Sequence, residues 1–288
     1  MRNSSATEGR LWLGLYALLC GGSVALALVL SFAHSVGALA WPPSTDLDWS
    51  GWRTLFADSS FWQALGYSFT LTAVTLMLAV LTALLMLAGL GPRLRTGWLA
   101  RALFLPLAVP PIVAALMAFG LLSDSGLLSR IAHALGWTTT PADFPTLIFD
   151  PAGRGIVLTH LAMITPLFVL LFARLTEHLR LPLLLQQAEA LGASRYQAWR
   201  RVALPLLLQQ ALPVITVYGV ALLGAYELPL LIGAAQPSMV SVTMQRAIAG
   251  VDLAQQPLGY AMASVYLSLL TLSWALLSLR APSRTAQH

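Results

Sequence analysis

QQAEALGASRYQAWRRVALP, residues 186–205, is a polar stretch set between long apolar runs, and its reading decides the fold. Leu184, Ala188 and Leu191 fall at i, i+4 and i+7, one apolar stripe on a short helix. Gly192 follows directly, where a glycine ends such a helix in the left-handed conformation. Ser194 to Gln197 then matches S-x-x-Q, a capping box that starts a second helix. On that helix Tyr196, Trp199 and Val202 share a face, while Arg195, Gln197 and Arg200 point elsewhere. Pro205 is expected to set the turn into the next apolar run. The segment therefore specifies helix, glycine hinge, helix. Two readings fit it: an amphipathic hairpin that only stabilises the fold, or a docking surface for a partner.

The surroundings are those of a membrane protein. Of 288 residues, 58% are hydrophobic and only 9% charged, with a mean hydropathy of +0.76; a soluble domain carries about 25% charged residues. Six runs are long enough to cross roughly 30 Å of hydrocarbon: Leu11–Phe32, Trp62–Leu90, Leu99–Leu122, Gly155–Phe172, Gln210–Gly233 and Leu258–Leu279. Such runs exceed barrel strands, and backbone groups in lipid must pair internally, so each is expected to be a helix. The fold class is all-α integral membrane with six transmembrane helices. It reads as one transmembrane domain over 1–288, with a first span at 11–32, core spans within 62–279 and a polar loop at 173–209.

All sixteen basic residues are arginine. With the N-terminus inside, twelve lie in cytoplasmic segments: Arg2, Arg10, Arg93, Arg95, Arg101, Arg174, Arg180, Arg195, Arg200, Arg201, Arg280 and Arg284. Four face outward: Arg53, Arg130, Arg154 and Arg246. This bias puts both termini, and the opening stretch, in the cytoplasm. The first run, of about twenty-two residues, exceeds a signal-peptide core and is read as a retained span. Outside, WPPSTDLDWSGW (41–52) mixes turn formers with interfacial tryptophans, and GLLSRIAHALGW (126–137) reads as an interfacial helix followed by the loop TTTPADFP. No internal repeat or appended soluble domain is expected.

The absence of lysine excludes a Walker nucleotide site, which needs that side chain on the phosphates, and excludes Schiff-base chemistry. The single cysteine, Cys20, gives neither an intrachain disulfide nor a thiolate metal cluster. No HExxH or GxSxG is present, so no catalytic or metal-binding residue is expected on this chain.

Beyond these physical readings, residues 186–205 are similar to the EAA loop of permease subunits of binding-protein-dependent ABC importers, EAA-x3-G-x9-I-x-LP. Gln186, Gln187 and Ala188 occupy the EAA positions, Gly192 the glycine, and Val202-Ala203-Leu204-Pro205 the I-x-LP. The departures are Gln186 for glutamate and Gln187 for alanine, with Glu189 three residues beyond Gln186. LFLPLAVPPIVAALMAFGLL (103–122) and YELPLLIGAAQPSMVSV (226–242) resemble the third span and the E-x-P segment of iron, thiamine, polyamine and molybdate permeases. Similarity covers about Leu65 to Leu279.

The resemblance implies the type I ABC importer permease fold in a bacterial cytoplasmic (inner) membrane. It implies a coupling loop in which Gln186, Ala188, Glu189, Gly192, Ala193, Ser194, Arg195, Val202, Leu204 and Pro205 meet an ABC ATPase subunit. That ATPase, and not this chain, would bind ATP and magnesium. A second permease, identical or homologous, and a periplasmic or lipid-anchored substrate-binding protein are the other implied partners, with membrane lipid and no nucleic acid. The substrate it implies is a small cation or a cationic or metal-containing solute.

Among polar residues in the spans, Glu227 admits two readings: contact with a cationic substrate or basic partner group, or a structural acid, hydrogen-bonded at a helix break or simply wetted at the interface. Pro106, Pro110 and Pro111 free carbonyls in the third span, which suits a kinked pathway-lining helix or one shaped for packing. His160 faces either the pathway or the interior, and Tyr67, Thr70, Thr72 and Thr75 are expected to include interhelical hydrogen bonds. A rival function, an ion- or proton-coupled secondary transporter without an ATPase, would show repeat symmetry or paired broken helices, and neither is visible.

Overall fold

The computed structural model describes residues 2–39, 47–94, 97–140, 143–250 and 252–280. The expectations for residues 41–46, Arg95, Pro141–Ala142 and Arg284 lie outside the described residues. The chain falls into two compact units, one of residues 1–62 with 243–288 and one of residues 63–242.

In the first unit α1 (Arg2–Ser35) lies along α13 (Gln256–Arg280), and α2 (Ser50–Ala57) packs on α13 as well. The sequence explains both approaches. Gly51 brings α2 so near that a Cβ there would sit 2.8 Å from the Pro257 backbone. Aromatic residues close the end of α1: Phe32 meets Trp49 and Trp52, Trp52 Nε1 donates to Ser35 Oγ at 2.9 Å, and His34 stacks on Tyr260. Just before α2, Asp48 accepts from Ser50 N at 2.8 Å and from Ser50 Oγ at 2.7 Å, and these bonds hold its carboxyl below the usual range.

The second unit holds most of α3 (Ser59–Leu90), then α4 (Trp98–Ala102), α5 (Pro111–Leu122), α6 (Leu127–Ala134), α7 (Arg154–His178), α8 (Leu181–Ala190), α9 (Arg195–Ala198), α10 (Leu204–Leu223) and α11 (Glu227–Ile232), and α12 (Val240–Ala249) begins there. The helix α7 is the central one. Its Phe168, Val169 and Phe172 are fully buried against Ala79 and Ala83 of α3 and Leu207 and Ala211 of α10. The alanines are small residues one turn apart, which let neighbouring backbones come close; in lipid such packing, rather than expulsion of water, draws helices together. A second cluster joins Leu71, Ala115, Ala118, Ile156, Leu228 and Ile232.

Four helical stretches among the described residues are long and apolar enough to cross a membrane: Ser59–Leu90, Pro111–Ala134, Arg154–His178 and Arg195–Leu223. Two expected spans are redrawn. The third, expected over Leu99–Leu122, is broken by its prolines. Residues 103–105 form a turn, Pro106–Ala108 a 3₁₀ turn, and Val109 and Pro110 are extended before α5 begins at Pro111. A proline lacks the N–H a helix needs and pushes the residue before it out of helical geometry. At twelve residues α5 is about 18 Å long, short of the membrane core alone, and α6 follows after a bend at Ser123–Gly126.

The fifth span, expected over Gln210–Gly233, starts earlier and stops earlier. Pro205 does not set a turn: the helical element runs from Arg195 through a π-turn at Trp199–Ala203 into α10, and Pro205, which has no N–H to give the preceding turn, falls directly after that π-turn. At the other end the helix stops at Leu223, and Glu227 opens the separate six-residue α11.

Candidate functional site

The hairpin forms as its local signals dictate. At the end of α8, Gly192 N donates to the Glu189 carbonyl at 2.9 Å and Ala193 N to the Ala188 carbonyl at 3.0 Å, the paired bonds of a Schellman motif. Gly192 has φ +92°, and nothing lies within 4 Å of where its Cβ would stand. The glycine is thus required by conformation and not by space. At the start of α9, Gln197 N donates to Ser194 Oγ at 3.3 Å while Ser194 N donates to Gln197 Oε1 at 3.0 Å. Both bonds of the expected capping box are present.

Packing fixes the hairpin to the bundle through Leu181, Ala198 and Ala203, all buried, with Leu184, Leu185 and Trp199 half-buried against the core. The π-turn carries the Leu204 N–H to the Trp199 carbonyl, so the second helix of the hairpin and α10 are one continuous helical element. The connection from α7 is a left-handed Arg180 (φ 48°), a position where glycine is the usual residue. Gln186, Glu189, Gly192, Ser194, Arg195 and Pro205 are exposed, and Ala188, Ala193, Val202 and Leu204 are half-buried.

The expected apolar stripes hold only in part. Leu184 and Ala188 pack inward, but Leu191 is 90% exposed because it lies at the helix end, past the last full turn. Tyr196 likewise stands 71% exposed, apart from half-buried Trp199 and Val202. The tip of the hairpin therefore presents a leucine and a tyrosine flanked by exposed Glu189, Arg195 and Arg200. Large apolar anchors within a polar rim are the composition of a protein-binding surface.

The other candidate residues are not gathered into one site. Pro110 and Pro111 are exposed at the start of α5, and Glu227 is exposed in the first turn of α11. His160 is buried at 8% exposure, with Nδ1 donating to the Ile156 carbonyl one turn back at 3.1 Å. The expected interhelical bonds of the α3 hydroxyls are mostly absent. Thr70 Oγ1 donates to its own helix at the Gly66 carbonyl, and Tyr67 Oη and Thr72 Oγ1 have no hydrogen-bond partner among the described residues. The residue that does bridge is Ser68, whose Oγ accepts from Val240 N at 2.8 Å.

One polar cluster went unforeseen. Asp150, just before α7, is nearly buried and accepts from Arg154 N at 3.0 Å, Nε at 2.9 Å and Nη2 at 3.2 Å. The Arg154 hydrogen bond holds its carboxyl down at about 2. The same guanidinium reaches the Thr146 carbonyl, and left-handed Phe149 (φ 57°) donates its N–H to the Ile232 carbonyl. Asp143, capped by Thr139 and Thr140, is also held near 2 and orders the preceding turn. The i, i+4 spacing of Asp150 and Arg154 was a usable signal, hidden because one residue sits in a loop and the other opens a helix.

Comparison with known proteins separates fold from sequence. No family model matches the chain, and no curated protein matches it by sequence. Solved structures do match over nearly the whole length. A chain of a bacterial ABC transporter involved in the import of the acidic polysaccharide alginate superposes with a TM-score of 0.64 at 17% identity, covering 96% of this chain and 100% of its own. A chain of the bacterial alginate ABC transporter in complex with alginate pentasaccharide-bound periplasmic protein gives 0.65 at 18% identity, covering 99% and 97%. The fold is shared with these transporters across both chains, at an identity that carries no residue-level correspondence.

Proposed function

We propose that this chain is the transmembrane permease subunit of an ATP-driven ABC importer, forming half of a translocation pathway. Its hairpin, Leu181–Pro205, docks a separate ATPase on the cytoplasmic side. The observation that carries this reading is the hairpin itself: a two-helix unit, its hinge locked on both sides of Gly192 by the Schellman bonds and the capping box, holds Leu191 and Tyr196 clear of the core. Leu191 and Tyr196 contribute little to the packing of the core, which favours a partner for them over a hairpin that serves only the fold. The likeness of fold to chains of an alginate ABC transporter supports the same reading, and a lysine-free chain draws its power stroke from another subunit.

In this reading α1 and α13 complete six spans, both termini are cytoplasmic, and a second permease and a substrate-binding protein complete the importer. Because the π-turn makes α9 and α10 continuous, movement of the docked hairpin passes directly into the fifth span. Exposed Glu227 favours a cationic solute of the thiamine, iron or polyamine type; fold similarity does not transfer the alginate of the relatives. Replacing Leu191 by aspartate tests the docking surface without touching the core. Co-purification with the ATPase subunit encoded alongside should fall at least about tenfold, as expected for a hot spot. An L191D chain that binds the ATPase as well as the parent does would refute docking at this tip.

A further inference from the structure

One face of α3 carries a buried polar stripe, Ser68, Thr72 and Thr75, at successive turns. The first rung is filled: Ser68 Oγ donates to the Ala64 carbonyl and accepts from Val240 N. The second rung differs. Thr72 is 7% exposed and its Oγ1 has no partner among the described residues, an arrangement buried hydroxyls rarely keep.

Thr72 lines a cavity whose other walls include Thr75, His160, Ile156, Leu222 and Met239. The bond from His160 Nδ1 to the Ile156 carbonyl places the proton of the neutral ring on Nδ1 and leaves Nε2 an acceptor. The residues around the cavity therefore include a hydroxyl donor and an imidazole acceptor from different helices. It has about 10 Å³ of room for the centre of a water molecule, which is what one water needs and no larger ligand can use. Two hydroxyls and one imidazole are also too few oxygens for a hard cation.

We propose that this cavity is the site of one structural water, which accepts from Thr72 Oγ1 and donates to His160 Nε2, joining α3 to α7. His160 is then a node of the interior and not a pathway residue. The inference rests on the packing of residues 63–242 alone and is independent of the transport reading.

Thr72→Val and Thr72→Ser separate a polar role from a packing role in the full chain in lipid nanodiscs. Valine keeps the shape without the hydroxyl, and serine keeps the hydroxyl without the methyl. The bridged water predicts that T72V lowers the melting temperature by about 2–4 °C or more, while T72S stays closer to the parent. The reverse order, valine neutral and serine destabilised, overturns it. A map sharp enough to show ordered waters gives a second test. Density within hydrogen-bond reach of both Thr72 and His160 is expected. No density there, with other buried waters visible, or Thr72 Oγ1 turned onto the Ser68 carbonyl, would also overturn it.

Discussion

A chain carrying Gly192→Val is expected to insert and fold its spans normally yet lose transport. The backbone at Gly192 stands at φ +92°, and no atom lies near its missing Cβ, so the loss is purely conformational. A left-handed conformation costs an L-residue about 1–2 kcal/mol, and a branched Cβ makes it worse. About 1.4 kcal/mol is tenfold in population, so the native hairpin loses about that factor against relaxed alternatives. Relaxing the strain breaks the bonds from Gly192 N to Glu189 and from Ala193 N to Ala188, which aim α9 relative to α8. Asparagine, which tolerates this conformation, should retain part of the activity. Uptake measured against the amount of inserted chain checks both. Normal uptake by the valine variant would remove the hinge from the mechanism.

Gly155→Ala is expected to destabilise the other end of α7 for the opposite reason. A Cβ at Gly155 would fall on the Leu147 carbonyl, far inside contact distance, whereas its backbone conformation is ordinary. The segment 145–150 must then move away, and it carries Asp150, bound to Arg154, and Phe149, bound to the Ile232 carbonyl. Forcing an extra carbon into such a contact costs about 1–3 kcal/mol. For a chain of this size each kcal/mol lowers the melting temperature by about 2–4 °C. Thermal unfolding in nanodiscs reads the shift directly. Gly192→Ala should lower that temperature less, since Gly192 is exposed with open space around it and a strained hinge can relax without displacing core side chains. Equal melting of parent and G155A chains would show that the loop yields freely.

The hairpin was legible in the sequence because its signals are local: a glycine after an apolar stripe and a serine three residues before a glutamine. Each makes its own hydrogen bonds, and no distant residue decides the outcome. What escaped was set by neighbours. Pro205 reads as a break, yet a π-turn absorbs it and α10 runs through, a choice made by packing of Ala203 and Leu207 in the core. Leu191 reads as part of a buried stripe, but its place in the last turn swings it outward. The three prolines of the third run announced a kink, though not an extended stretch dividing the run. Asp150 and Arg154 were invisible as a pair because only the fold of residues 145–153 brings the carboxylate onto the helix start. Glu227 and His160 were both named from polarity within apolar runs. One stands exposed and the other is enclosed, a difference that tertiary contacts alone determine.

The docking claim is tested most directly by cysteines placed singly at Gln186, Glu189, Leu191 and Arg195. The parent Cys20 is replaced, and the chain is co-expressed with the ATPase subunit. Crosslinks to the ATPase are expected at the hairpin tip, with yields that change between nucleotide-free and ATP-bound states. Absence of any crosslink at all four positions, in a complex that still imports substrate, would contradict coupling through this hairpin.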